Sequence, residues 1–355
     1  MKKLIPIIFF GGCSTEYKIS LQSAHAVLSH LDLEKYAPLM VGITPDGRWL
    51  HYTGPIDHIV SDTWAQDPAL VTPCALSPER GRHELIVFGK CLLRLKFDAA
   101  FPVLHGKNGE DGTLQGLLEL AGIPIIGCGT LASALAMDKA RTHTLAESAG
   151  ISVPKGKAFP RGTAPEVIAA WAEILGYPVF VKPVRAGSSF GISRVTAADK
   201  LSDAVQQAFL HDDMVIIEQA VEGFEVGCAV LGNQNLITGR VDEIELSGGF
   251  FDFTEKYQLI TSKIHCPARI DPETEEKICF AAKKIYHALG CKVFARVDMF
   301  LTTDGQILCN EVNTIPGFTA HSRYPGMMQA IGISFPTLLD RMIALGMEGA
   351  DTPCA

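Results

Sequence analysis

The chain has 355 residues, a formal net charge of −8, 47% hydrophobic residues and 20% charged residues. That length suits two or three packed lobes rather than one core, and the acidic balance excludes a nucleic-acid surface while leaving room for a local basic pocket. Ten cysteines without a CxxC pair or metal spacing, several of them in apolar runs such as Cys228, Cys291 and Cys309, point to reduced thiols in a cytoplasmic protein.

The apolar run after Lys2 and Lys3 is short, ends at Gly11-Gly12 and lacks a small-residue cleavage site. It reads as a first buried strand rather than a signal peptide, and no stretch is long enough to span a membrane. Residues 1 to about 125 then alternate strand and helix: strand 4–10, helix 20–31, strands 38–43 and 99–104, and helix 113–121. This pattern predicts an open parallel α/β sheet. The turn Gly11-Gly12-Cys13-Ser14-Thr15-Glu16 leaves the first strand at the sheet edge where such folds bind ligands. It is either a plain tight turn or an anion site at a helix N-terminus, and Glu16 is placed to hold an ammonium group. The loop from His105 to Gly112 also follows a strand and is dense in glycine and ionisable groups; His105 is a candidate site residue there, or a structural one.

From about residue 130 the pattern turns helical, with one helix over 131–148 carrying Asp138-Lys139, and Gly150-Ile151-Ser152-Val153-Pro154 as a linker. Strand 178–183 delivers Lys182, and Arg185-Ala186-Gly187-Ser188-Ser189-Phe190-Gly191 forms a small-residue turn. It is either a simple hairpin or a flap over phosphates, with Ser188 and Ser189 offering hydroxyls and amides. No Walker A loop is present. Residues 214–226 read as two strands around a Glu-Gly turn, placing Glu218 and Glu225 where they could accept from a ribose or an adenine amine, or stand as edge charges. The aromatic stretch 248–257, before strand 262–266, suits a covering loop, with packing between lobes as the alternative.

Strands 295–301 and 307–312 flank the turn Thr303-Asp304-Gly305 and present Asp298 and Glu311 from apolar runs, with Asn313 on the same side as Glu311. Two carboxylates and a carboxamide are hard oxygen ligands, suited to Mg²⁺ carrying nucleotide phosphates and ill suited to zinc. A pair of solvated hairpin acids is the bland alternative. Ser322 and Arg323 follow, able to hold a carboxylate, before helices near 327–331 and 335–345.

Seven segments, in order, carry a family resemblance: GGCSTEYKISLQSA, HGKNGEDGTLQGLLELAGIPIIGCG, MDKARTH, VKPVRAGSSFGI, FFDFTEKY, ARVDMF and NEVNTIPGFTAHSRYP. Together they resemble the D-alanine-D-alanine ligases of the ATP-grasp superfamily over nearly the whole chain. The resemblance implies three lobes, 1–130, 131–225 and 226–355, with ATP gripped between the last two. It further implies Lys139 and Lys182 on the phosphates with Ser189, Lys256 on the γ-phosphate, and Glu218, Glu225 and Asn310 around the nucleotide. Asp298, Glu311 and Asn313 would hold two Mg²⁺ ions, with Mn²⁺ as a substitute. The first D-alanine would lie at Glu16 and His105, Ser188 would lock the lid through Tyr257, and Arg296 with the Gly317 amide would stabilise a tetrahedral oxyanion. Family members resemble homodimers joined through their N-terminal lobes.

Arg323 departs from the common pattern, which has leucine there. HSRYP with FFDFTEKYQL is similar to the D-alanine-D-serine ligases of vancomycin resistance, because a guanidinium can donate to a serine hydroxyl where leucine offers only an apolar wall. The resemblance thus implies D-serine as second substrate, with a D-alanine-D-alanine ligase as the alternative and a non-catalytic nucleotide-binding relative as a distant one. The lid lacks the histidine-containing pattern of the D-lactate-forming relatives.

Overall fold

Pro6–Gly11 (β1) is buried along its whole length, as a strand covered on both faces must be. In the computed structural model, which describes residues 2–187, 190–246, 262–319 and 322–348, β1 is followed by α1 (Tyr17–His30), β2 (Leu39–Ile43), β3 (Trp49–Tyr52), α2 (Asp57–Val60), β4 (Val71–Leu76), β5 (Glu84–Phe88), β6 (Leu92–Lys96), β7 (Ala99–Pro102) and α3 (Thr113–Leu120). These strands form one seven-stranded sheet in the order β6-β5-β4-β3-β2-β1-β7. The expected parallel sheet is only its β2-β1-β7 part. From β2 to β6 the neighbours are antiparallel; short turns join β2 to β3, β4 to β5 and β5 to β6, too brief for crossover helices, while the β3–β4 connection carries α2.

Next come α4 (Thr130–Met137) and α5 (Lys139–Ser148). The single helix expected over 131–148 is thus two. Asp138 adopts an extended conformation and its carboxylate accepts from the Arg141 amide at 3.0 Å, capping a new helix that starts at Lys139. A four-stranded sheet follows, ordered β10-β9-β11-β8. It is built from β8 (Gly156–Pro160), α6 (Pro165–Leu175), β9 (Val179–Pro183), β10 (Ser193–Val195), α7 (Leu201–Phe209) and β11 (Met214–Gln219).

The third sheet contains β12 (Gly223–Leu231), β13 (Ile237–Thr238), β14 (Asp242–Leu246) and β15 (Ser262–His265). After α8 (Pro272–Ala288) it adds β16 (Phe294–Thr302) and β17 (Ile307–Asn313), and the chain ends in α9 (Arg323–Gln329) and α10 (Phe335–Met347). The strands on either side of the Glu-Gly turn do not pair: β11 joins the second sheet and β12 the third.

The cores explain how these parts hold together. Ile8 and Phe10 of β1 and Leu21, Ala24 and Val27 of α1 share one buried cluster with Phe294, Phe318, Tyr324, Leu339 and Met342. The first and third sheets are therefore joined through common apolar packing, which weighs most heavily in stability. The second sheet packs on α6 and α7 in a cluster of its own.

Candidate active site

The β16–β17 hairpin brings three of the expected oxygen ligands together. Asp298 stands opposite Glu311, Arg296 stands opposite Asn313, and the register slips between Asp298 and Met299 so that Asn310 is the extra residue. A bulge of this kind re-aims side chains. Asn313 Nδ2 donates to Asp298 Oδ2 at 2.9 Å, which leaves its carbonyl oxygen facing away from that bond as an acceptor. Arg296 grips the same carboxylate with Nε at 2.8 Å and Nη2 at 2.7 Å. Burial pushes the Asp298 carboxyl up, but Arg296 and Arg323 outweigh it and hold it below its ordinary value.

Arg323, expected beside the second substrate's side chain, has its guanidinium anchored on the third sheet. Nε and Nη2 donate to the two oxygens of Asp242 at 2.8 and 2.7 Å, Nη1 donates to Glu225 at 2.9 Å, and Nη1 lies 3.2 Å from Asp298. A planar fork matched to a carboxylate makes the strongest of these pairs. Burial works against this cation, yet the surrounding carboxylates raise its pKa well above the usual range. The same contacts place Glu225, expected on a ribose, against Arg323. Gly227 makes room for them: a β-carbon there would lie 2.6 Å from Asp242 Oδ1. Asp242 is fully buried and sequence reasoning missed it.

The basic side of the cleft comes from α5 and β9. Lys139 begins α5 and donates to the Ala186 carbonyl at 2.8 Å, with its Nζ 3.6 Å from Glu311. Lys182, the penultimate residue of β9, lies 2.7 Å from Glu218 Oε2 and 3.5 Å from Asn310 Oδ1. Burial pushes Glu218 up, but the Lys182 and His143 charges prevail and its carboxyl sits below the ordinary 4.5. Glu218 Oε1 has no hydrogen-bond partner among the described residues, so a buried acceptor remains for a ligand donor. A cavity of about 490 Å³ opens beside the β11–β12 connection, lined by Gln219, Ala220, Val221 and Glu222 and by Thr302 and Leu308 opposite.

At the other end, Glu16 is buried and meets both remaining loops: a β-carbon on Gly187 would lie 2.8 Å from its Oε2, and one on Gly106 closer still. His105 has both ring nitrogens engaged, Nδ1 with the Ile315 carbonyl at 2.9 Å and Nε2 with Ser23 Oγ at 2.9 Å. The carbonyl can only accept, so Nδ1 carries the proton and Nε2 accepts from Ser23. Ser23 Oγ in turn accepts from the Phe318 amide at 3.2 Å. His105 and Ser23 thereby brace the loop that carries Gly317, which lies beside Ser322: its β-carbon would fall 2.8 Å from Ser322 Oγ. Ser322 Oγ accepts from the Thr319 amide at 2.9 Å. Ser188, Ser189, Lys256, Tyr257 and the aromatic stretch 248–257 lie outside the described residues.

The family model for the D-ala D-ala ligase N-terminus matches residues 6–128, and that for the D-ala D-ala ligase C-terminus matches residues 145–344. The chain belongs to the D-alanine-D-alanine ligase family. The crystal structure of the VanG D-Ala:D-Ser ligase from Enterococcus faecalis superimposes with a TM-score of 0.90 at 54% identity, over 97% of this chain and 100% of that one. The vancomycin B-type resistance protein VanB of Enterococcus faecalis is 44% identical over 98% of this chain and 100% of its own. A Streptomyces coelicolor protein provisionally named a D-alanine-D-lactate ligase is 45% identical over 98% of this chain and 99% of its own.

As a D-alanine-D-alanine ligase family member, the chain is an ADP-forming ligase that uses ATP and a divalent metal ion on small amino-acid substrates. The donor set fits such a metal: Asp298, Glu311 and Asn313 offer hard oxygens from adjacent positions of one hairpin. Around it four carboxylates, Asp298, Glu311, Asp242 and Glu225, meet three cations, Arg296, Arg323 and Lys139. Among the described residues no helix is long and apolar enough to cross a membrane.

Proposed function

We propose that the enzyme joins D-alanine to D-serine through an acyl phosphate, making a dipeptide for peptidoglycan precursors in the manner of glycopeptide-resistance ligases. The observation that carries the reading is the convergence of the Asp298-Glu311-Asn313 hairpin, Lys139 and Lys182 on one side of a cleft whose other end holds Glu16 and the Gly317 loop. Bound there, MgATP supplies the phosphoryl group that activates the first D-alanine's carboxyl. Asp298, Glu311 and Asn313 are assigned to two Mg²⁺ ions, and Lys139, Lys182 and Asn310 to the phosphates. Glu218 is assigned to the adenine amine through its unbonded oxygen, and Glu16 to the first substrate's ammonium, with His105 acting as a brace rather than a direct contact. Arg296 and the Gly317 amide face the tetrahedral oxyanion, where preorganised donors lower the barrier most. Ser188, Ser189, Lys256 and Tyr257 are assigned to a closing lid that keeps water from the acyl phosphate.

The D-serine preference is supported by the 54% identity to a D-Ala:D-Ser ligase and by Arg323. Asp242 and Glu225 fix the guanidinium, and its second Nη2 hydrogen is used by none of those bonds. A donor held in place discriminates better than a mobile one. D-Alanine is the alternative second substrate, since a pocket that bonds a hydroxyl need not reject its absence. The division into lobes at about 130 and 225, a cytoplasmic homodimer and two metal ions belong to the same reading. Mass spectrometry of products from equimolar D-alanine, D-serine and D-lactate tests it: D-alanyl-D-serine should dominate, and a predominance of D-alanyl-D-alanine or of the depsipeptide overturns the assignment.

A further inference from the structure

His143 has no role in the reading so far, yet it occupies the middle of the nucleotide side of the cleft. It lies one turn after Lys139 on α5, so both side chains share a helix face, and only 6% of the residue is exposed. Its Nε2 is 2.9 Å from the carbonyl of Asn310. That residue is the extra one in the β17 bulge. Its Nδ1 is 3.4 Å from Glu218 Oε1, the carboxylate oxygen that lacks a hydrogen bond. Since a carbonyl only accepts, Nε2 carries a proton and donates it. The imidazole thus stands between Glu218 on β11 of the second sheet and the strand of the third sheet that bears Glu311 and Asn313, hydrogen-bonded to the latter and within ion-pair distance of the former.

We infer that His143 is a positioning residue for nucleotide binding, setting the bulged Asn310 and the Glu218 carboxylate at a fixed spacing so that the two ends of ATP are met together. This rests on the nucleotide assignment above. The Nε2 bond is the working contact, because a bulged residue is not held in register by the ladder around it. Glu218 is separately held by Lys182.

The test compares His143→Ala, His143→Gln and His143→Asn in the full chain. Glutamine can place an amide donor near the Nε2 position and asparagine near the Nδ1 position, so the pair separates the two contacts. His143→Ala should raise the KM for ATP by about 10-fold and weaken calorimetric binding of ADP without amino acids by a similar factor, with kcat and the KM for D-alanine changed less than about 2-fold, as for loss of one buried hydrogen bond. His143→Gln should recover most of both nucleotide constants and His143→Asn should not. ADP affinity unchanged in His143→Ala overturns the inference. So does an equal loss in every kinetic constant together with a lower Tm, or the same defect in all three variants. A wild-type chain that binds no ADP removes the nucleotide assignment itself, and the brace with it.

Discussion

The Arg323 guanidinium lies 3.2 Å from the carboxylate of Asp298, so the residue proposed to select the second substrate is in electrical contact with the proposed metal-binding hairpin. On the proposed assignment, specificity and catalysis are coupled through this pair. Arg323→Leu removes the partner of Asp242, whose side chain is fully buried, and an unpaired buried charge costs about 3 kcal/mol. Chemical denaturation should show a loss of that order, and adding Asp242→Asn should return part of it. A variant of unchanged stability contradicts the buried clamp.

Gly227→Ala tests the same clamp from below. The added methyl falls 2.6 Å from Asp242 Oδ1 and 2.9 Å from Met327 Cε, so the Asp242–Arg323 pair or the α9 packing must move. Overpacking of this kind costs about 1 to 3 kcal/mol. The ratio of kcat/KM for D-serine to that for D-alanine should fall along with the Tm. A stable enzyme with the wild-type ratio would show that the clamp has no part in selection.

The two hairpin carboxylates should respond differently to neutralisation. Asp298 balances two guanidinium groups as well as facing the proposed metal site, whereas the Glu311 side chain is 22% exposed and meets Lys139 at 3.6 Å. Glu311→Gln should therefore lower turnover by about 100-fold or more and raise the Mg²⁺ concentration needed for half activity, while leaving the Tm nearly unchanged. Asp298→Asn should lose stability as well as turnover. Equal stability losses in the two variants contradict this division.

Glu218 sets a pH dependence of stability. Its folded-state pKa lies below 4.5 because Lys182 and His143 outweigh burial. The stabilisation it contributes is therefore present above the ordinary value of 4.5 and lost as pH falls through the lower folded value. The stability gap between wild type and Glu218→Gln, measured by urea unfolding, should be constant near neutral pH and close below pH 4.5. A gap that widens on acidification reverses the sign and contradicts the pairing.

The Asp298–Glu311 hairpin was legible in the sequence because the two acids interrupt apolar runs, and buried acids in strands need a cation or a donor. The parallel part of the first sheet was legible from the unbroken apolar run of β1. The antiparallel strands β3–β6 were not, since Trp49–Tyr52 and Leu92–Lys96 are short and half exposed, so their periodicity is weak. Asp242 escaped notice within Asp242–Leu246 because alternating acids read as a solvated face; its partner Arg323 is 81 residues away. Ser23 and His143 were missed for the same reason, as their partners Phe318 and Asn310 are 295 and 167 residues distant. The helix break at Asp138 was visible in principle as an aspartate three residues before the amide it caps.

Phosphorylation of a carboxyl group is the central claim, and isotope transfer tests it most directly. With D-alanine labelled by ¹⁸O in its carboxylate, ATP and D-serine, the attacking oxygen stays on phosphorus when the amine displaces phosphate. Mass spectrometry should find one ¹⁸O in each phosphate released, in step with dipeptide formed. Unlabelled phosphate, or phosphate released at the same rate without any D-amino acid, would contradict it.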